Sequence, residues 1–148
     1  MSALNIETRA LVVYLLIVSA LTTSYWIVWF LIPGGHDLLA AEPGNLCHTI
    51  FENAFPAADL WMALCAAIAA VLLLRQRPQA IGWLFMAGSA GVYLFGMDVL
   101  YDLQNGIYLR LSEPAAQDAV LTEMLINAGT LLFAAWSIAH AWRNSRWH

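Results

Sequence analysis

Residues 10–32, ALVVYLLIVSALTTSYWIVWFLI, form an apolar run that contains no charged side chain and is followed by Pro33-Gly34-Gly35. A helix needs about 20 predominantly apolar residues to cross the hydrocarbon core of a bilayer. A secretory signal has an apolar core of only about 7–15 residues and ends at a small-residue cleavage site. This run is longer and ends in a helix-breaking turn. It therefore predicts a retained membrane-spanning helix.

Three further apolar runs follow, over residues of about 54–74, 79–103 and 119–142. Together with the first run they use nearly all of the 148 residues, which leaves no room for a soluble module. The sequence therefore predicts an all-α integral membrane four-helix bundle that forms one domain, 1–148.

The composition agrees with this class and excludes others. Hydrophobic residues make up 61% of the chain and charged residues 11%, against about 25% charged in an ordinary globular protein. The net charge of −4 and the absence of lysine or any basic run exclude a nucleic-acid partner. The two cysteines form no C-x-x-C motif, which excludes a zinc ribbon and a dithiol redox centre. The lipid bilayer is the predicted environment.

The arginines predict the orientation, because an excess of arginine marks the cytoplasmic loops of membrane proteins. If the four helices alternate in direction, only Arg110 falls on the outer side. The other five share the side of both termini: Arg9, Arg75, Arg77, Arg143 and Arg146. Both termini are therefore predicted to be cytoplasmic, and the lack of sorting signals favours a bacterial plasma (inner) membrane.

Aromatic residues are enriched at both membrane interfaces. The predicted outer set is Tyr25, Trp26, Trp29 and Trp61, and the predicted inner set is Trp83, Trp142 and Trp147.

Polar residues inside the spans recur at spacings of three and four, which places them on one face of each helix. The polar face of the second span contains Glu52 and Asp59, that of the third Asp98 and Asp102, and that of the fourth Glu123 and Asn127. At about 1.5 Å per residue, one carboxyl of each span lies roughly 7–9 Å inside the outer helix end. The sequence therefore predicts an acidic layer in the outer half of the bundle.

No basic side chain is available at that depth, and a charge within a membrane is costly. The acids are therefore expected to be protonated, hydrated or hydrogen-bonded to Asn127, Tyr101 or Asn105. A structural interpretation remains open, because acids near helix ends reach interfacial water and are favoured at helix N-termini. Asp98 and Asp102 lie near a C-terminal helix end, where negative charge is disfavoured, and Asp98 is the strongest functional candidate.

Carboxyls beside aromatic rings suit a pocket that opens outward and binds a small hydrophobic or amphipathic-cationic molecule. The outer segment before the second span is long enough to cover such a pocket, and it serves equally well as a plain connector. Transport and proton-assisted isomerisation of the bound molecule stay open, as does the question whether the protein is an enzyme. The predicted binding residues are Asp98, Asp59, Glu123, Asn127, Tyr101, Asp102, Glu52, Trp26 and Trp61.

No metal and no cofactor are predicted. His48 and Glu52 have the i,i+4 spacing with which a helix shares one ion, but no recurring Glu-x-x-His motif accompanies them. His140 lies at the inner end and His36 at the outer end, so they cannot both bind one haem.

The alternative function is that of an accessory subunit that docks on a larger membrane complex or on a second copy. Small residues let membrane helices approach closely. Candidate docking faces are Ala63/Ala67, Ala66/Ala70 and Ala87/Gly91.

Two resemblances accompany this interpretation. Ser24-Tyr25-Trp26, Ile32-Pro33 and the run Phe55-Pro56-Ala57-Ala58-Asp59-Leu60 resemble a group of uncharacterised bacterial four-helix membrane proteins, which implies no activity. Leu74-Arg75-Gln76-Arg77-Pro78 and Gly96-Met97-Asp98-Val99-Leu100-Tyr101, with Asn127 on the last helix, are similar to segments of the EXPERA family of sterol isomerases and the sigma-2 receptor. The family's His-x-x-x-Glu pair has a counterpart only in His48 and Glu52. This second resemblance implies buried acids that bind sterols or amphipathic amines.

Overall fold

The computed structural model describes residues 5–40, 42 and 44–145. Within these residues the chain is helical and contains no strand. The elements are α1 (Ile6–Leu31), α2 (Gly35–Leu39), α3 (Leu46–Glu52), α4 (Pro56–Leu74), α5 (Ala80–Asn105), a 3-10 helix (Ile107–Ser112) and α6 (Gln117–Ser145).

Four segments are long and apolar enough to cross a membrane, namely α1, α3 with α4, α5 and α6. This confirms the all-α class and the four predicted spans, and it indicates an integral membrane protein. The helix boundaries differ by a few residues for local reasons. α1 begins at Ile6 because the side-chain oxygen of Asn5 accepts a hydrogen bond from the Thr8 amide at 2.7 Å. α4 begins at Pro56. Proline has no backbone N–H, and in the first helical turn that N–H would have no partner within the helix.

The spanning helices pack in sequence, α1 on α4, α4 on α5 and α5 on α6, while α1 and α6 share a smaller contact. Tyr14 on α1 crosses that contact, and its hydroxyl donates to the Gly129 carbonyl of α6 at 2.9 Å. Glu7 at the start of α1 forms an ion pair with Arg143 at the end of α6. The start of α1 and the end of α6 therefore lie at one end of the bundle, here named the terminal end.

The predicted cytoplasmic arginines that the structure describes belong to this terminal end: Arg9, Arg75, Arg77 and Arg143. Arg146 and Trp147 lie outside the described residues. The opposite end, named the loop end, contains α2, α3 and the 3-10 helix. Which of the two ends faces the cytoplasm stays a prediction.

Small residues lie at the contacts between the helices. Ala66, Ala70 and Ala87 have no exposed surface, and Ala63 and Gly91 are also buried. The small faces predicted to dock on a partner are thus largely covered by the chain's own helices, and only Ala67 among them is half-buried. They do not form a free docking surface, and this part of the prediction is wrong.

The long segment at the loop end is helical rather than irregular. A Cβ atom on Gly35 would collide with the Val28 carbonyl oxygen, so only glycine lets α2 pack this closely on α1. Asn45 caps α3 by accepting hydrogen bonds from the amides of Cys47 and His48. Gly106, at a φ of 66°, provides the left-handed turn that ends α5.

One aromatic prediction is corrected by the structure. The rings of Trp61 and Trp83 were expected at opposite membrane interfaces, but their centroids lie 6.4 Å apart. A bilayer core is about 30 Å thick, so the two rings cannot mark its two faces. The position of a tryptophan along its helix does not fix the depth of its ring in the membrane, because the side chain extends several ångströms along the helix surface.

Candidate functional site

Three aromatic donors on α1 reach towards α3 and α4. The Trp26 indole N–H donates to the Asp59 carboxyl at 2.9 Å. The hydroxyl of Tyr25, the preceding residue, donates to Glu52 at 3.3 Å, and the indole of Trp29, about one turn further along, donates to Asn53 at 2.9 Å. The C-terminal half of α1 thus supplies the hydrogen-bond donors for polar groups at the start of the second span.

A second polar group is centred on Asn127 of α6. Its amide nitrogen lies 3.1 Å from Asp102 of α5, 3.4 Å from Glu123 and 3.2 Å from the Tyr108 hydroxyl. An amide has two N–H bonds, so these three acceptors share two donors. Asn127 and Asp102 are each only 3% exposed. The predicted hydrogen bonding of the acids to Asn127 is confirmed for Asp102 and Glu123.

Tyr108 belongs to the 3-10 helix, outside the spans, and the sequence did not indicate it. Burial, together with its contact to Asp102, raises the pKa of the Tyr108 phenol above its usual range. The phenol therefore stays neutral at physiological pH and keeps its proton available for donation.

Asp98 of α5 is near members of both groups. Its carboxyl interacts electrostatically with those of Glu123, Glu52, Asp59 and Asp102. Asp98 and four other carboxyls from α3, α4, α5 and α6 thus lie within electrostatic range near the loop end, where the helical spacing predicted an acidic layer. This set, Glu52, Asp59, Asp98, Asp102 and Glu123, is named the acidic layer below.

Two predicted partners of these acids are wrong. The Asn105 amide donates to the backbone carbonyl of Tyr101. The Tyr101 ring stacks on Phe51 at a centroid distance of 3.9 Å and lies 5.7 Å from the His48 ring. Within the described ranges, neither Tyr101 nor Asn105 forms a hydrogen bond to an acid, and Asp98 has no hydrogen-bond donor at all.

The acidic layer lacks cationic partners in the described part of the chain. Arg110, the arginine of the loop end, pairs with Glu42 at 2.6 Å and with Glu113 at 3.4 Å instead. The nearest base is His48, whose Nε2 atom lies 3.9 Å from Glu52. This separation is too long for a hydrogen bond.

Two deeply buried polar side chains beside the acidic layer have unused hydrogen-bonding capacity. His48 is 3% exposed, and neither of its ring nitrogens has a hydrogen-bond partner. The Asn127 side-chain oxygen is likewise buried without a donor, although the nitrogen of the same amide contacts the acids. Buried polar atoms are normally paired, so these atoms are suited to a water molecule or a ligand.

Not every predicted residue joins this arrangement. Trp26 does, but Trp61 is 44% exposed and lies beside Trp83 on another face of α4. Cys47 and Cys65 are both free thiols. Among residues 5–40, 42 and 44–145, no three His, Cys, Asp or Glu side chains are grouped so as to hold a metal ion.

Sequence reasoning gave Tyr25 only an interfacial role and did not include Trp29 among the binding residues. Their spacing with Trp26 on one face of α1 is the signal that could have identified them as donors.

No family model, no curated protein and no solved structure matches this chain. The two resemblances therefore rest on the quoted residues alone.

Proposed function

We propose that the protein binds a small amphipathic molecule that carries a protonated amine, with the charged group in the acidic layer. The observation that carries the proposal is the set of five carboxyls without a cationic partner in the described residues. An ammonium group offers both the positive charge and the N–H donors that these carboxyls lack.

The buried acceptor atoms favour an amine with N–H bonds over a quaternary ammonium ion. The Asn127 oxygen has no donor, and an N–H of a bound primary amine would satisfy it. The Trp26 and Tyr25 rings beside Asp59 and Glu52 add aromatic surface, which attracts cations.

The same groups would also suit a turnover step, because one carboxyl can donate a proton while another accepts one. Isomerisation and transport of the bound molecule therefore remain forms of the same proposal. We place both termini on the cytoplasmic side of a bacterial plasma membrane because of the arginines at the terminal end. The site then opens towards the outer face.

An accessory-subunit role is the weaker alternative, because the small-residue faces that suggested it are covered within the bundle. It also leaves the unpaired carboxyls unexplained.

The test compares decylammonium with the uncharged decanol as probes, using protein reconstituted in nanodiscs. The variant is Asp98→Asn combined with Glu123→Gln, which preserves side-chain size and removes two negative charges. A charge-assisted hydrogen bond contributes about 1.5–3 kcal/mol, so the double variant should weaken decylammonium binding by about 10- to 100-fold. Decanol binding should not change.

The matched control is Asp118→Asn, which removes a charge from the exposed first turn of α6, the helix that carries Glu123. Its affinity for decylammonium should equal that of the wild type. If decanol binds as tightly as decylammonium, or if the double variant keeps wild-type affinity, the acidic layer is not an ammonium site.

A further inference from the structure

A shallow groove of about 290 Å³ runs along the seam between α1 and α4 near the loop end. It is named the α1–α4 groove and is lined by Thr23, Trp26, Ile27, Phe30, Leu31, Pro56 and Leu60. All of these side chains except Thr23 are apolar. The volume is close to the lower limit of ligand-binding pockets, about 300–1,000 Å³.

Trp26 connects this groove to the acidic layer. Its ring lines the groove, while its N–H donates to Asp59 at 2.9 Å. The side chain is 4% exposed and stacks on Phe30, another lining residue, at a centroid distance of 5.8 Å. The groove and the Asp59 carboxyl are therefore separated by the width of one indole ring.

We propose that the α1–α4 groove holds the apolar tail of the amphipathic amine whose ammonium group binds in the acidic layer. This inference rests on the proposed function. A carboxylate accepts several hydrogen bonds, so an ammonium N–H can bind Asp59 beside the Trp26 donor, and the tail attached to it would then lie beside the indole, where the groove begins. The geometry thus specifies the ligand class further, as an amine with a linear or flat apolar tail.

A second groove provides the comparison. It has a volume of about 390 Å³, lies between α4 and α5, and is lined by Ala58, Trp61, Met86, Ser89, Ala90 and Tyr93. None of these side chains forms a hydrogen bond to a carboxyl of the acidic layer in the described residues. This α4–α5 groove is larger, but it lacks the hydrogen bond to a carboxyl that Trp26 provides in the α1–α4 groove.

The two grooves offer a matched pair of variants. Thr23 in the first groove and Ser89 in the second are both exposed, and each hydroxyl donates to the backbone carbonyl four residues earlier. Thr23→Trp should fill the first groove, and Ser89→Trp should fill the second at a similar loss of local hydrogen bonding.

Two probes, butylammonium and dodecylammonium, distinguish the contribution of the tail to binding from that of the charged group. Their affinities are measured with the protein in nanodiscs. Thr23→Trp should weaken dodecylammonium binding by at least about tenfold, because the tail and the new ring compete for one space. Butylammonium binding should not change, and Ser89→Trp should leave both probes at wild-type affinity.

Photolabelling tests the same point on the unfilled groove and needs no bulky variant. A dodecylammonium analogue with a diazirine at the end of its tail should label peptides that contain Ile27, Phe30 or Leu60. Asp59→Asn should reduce this labelling because the charged group loses its anchor. If an uncharged diazirine phospholipid labels these peptides as strongly, and Asp59→Asn has no effect, the groove is a lipid contact and the inference is overturned.

The outcomes distinguish the two proposals. If the Asp98→Asn, Glu123→Gln variant binds butylammonium as the wild type does, the proposed ammonium site fails. If that variant loses butylammonium while Thr23→Trp and Ser89→Trp bind dodecylammonium equally well, only the tail site fails.

Discussion

The close packing of α5 on α6 at Gly88 allows a quantitative prediction for this residue. A Cβ atom at this position would lie 2.6 Å from Cγ1 of Ile138 and 3.1 Å from the Ala134 carbonyl oxygen. Non-bonded carbon atoms prefer a separation of about 3.5–4.0 Å. Gly88→Ala therefore forces Ile138 or α6 to move by about 1 Å, and overpacking of this kind costs about 1–3 kcal/mol.

Two other glycines of α5 provide the reference for this variant. Gly82 and Gly96 have no heavy atom within 4 Å of a built Cβ. Alanine at either position should therefore show only the gain in helix propensity, up to about 1 kcal/mol. The free energy of unfolding of Gly88→Ala should lie about 1–3 kcal/mol below the mean of these two controls.

The assay is reversible unfolding in mixed micelles, followed by tryptophan fluorescence. Ile138→Ala removes the nearest opposing atom, so Gly88→Ala combined with Ile138→Ala should be more stable than the sum of the two single changes predicts, by about 0.5–3 kcal/mol. If Gly88→Ala is as stable as the Gly82 and Gly96 controls, the two helices do not approach as closely as described.

Three further substitutions test other contacts. Tyr14→Phe removes the hydrogen bond to the Gly129 carbonyl and keeps the ring, so the free energy of unfolding should fall by about 0.5–1.5 kcal/mol in the same assay; no loss would mean that the bond contributes nothing. Gly35→Ala places a methyl group against the Val28 carbonyl, so hydrogen exchange of residues 35–39 should accelerate while the spans stay protected; unchanged exchange would contradict the close packing of α2 on α1. Asn127→Ala removes an amide donor from the buried Asp102 carboxyl and should lower the free energy of unfolding by about 1–3 kcal/mol, whereas an unchanged value would mean that this amide contributes nothing to the acidic layer.

The hydropathy pattern predicted the four spans because short connections and long apolar runs permit few other arrangements. The helical spacing also predicted which acids share a face, and the antiparallel order brought Asp98, Asp102 and Glu123 to one end. These features follow from local periodicity together with the short connections between the spans.

Other features depend on information that periodicity does not contain. The hydrogen bond between Trp26 and Asp59 requires that α1 pack on α4 with one particular rotation about its own axis. Residue spacing does not specify this rotation. Tyr108 lies on a 3-10 helix after Gly106, outside any repeating stripe, so nothing marked it as a partner of Asn127. The α1–α4 groove likewise depends on side-chain conformations at the seam.

The dipoles of the helices explain why the members of the acidic layer are not equivalent. Asp59 lies in the first turn of α4, where a negative charge is favoured, whereas Asp102 lies in the last turn of α5, where it is disfavoured. Glu123 and Asp98 lie further from the helix ends, where this effect has faded. Asp102 is compensated by the Asn127 amide. Asp98 has neither a favourable helix dipole nor a hydrogen-bond donor within the described residues. It also interacts electrostatically with four other carboxyls. Because this half-buried carboxyl has no donor of its own, Asp98 is the residue at which a bound ammonium group would gain most, and this is why the binding test begins there.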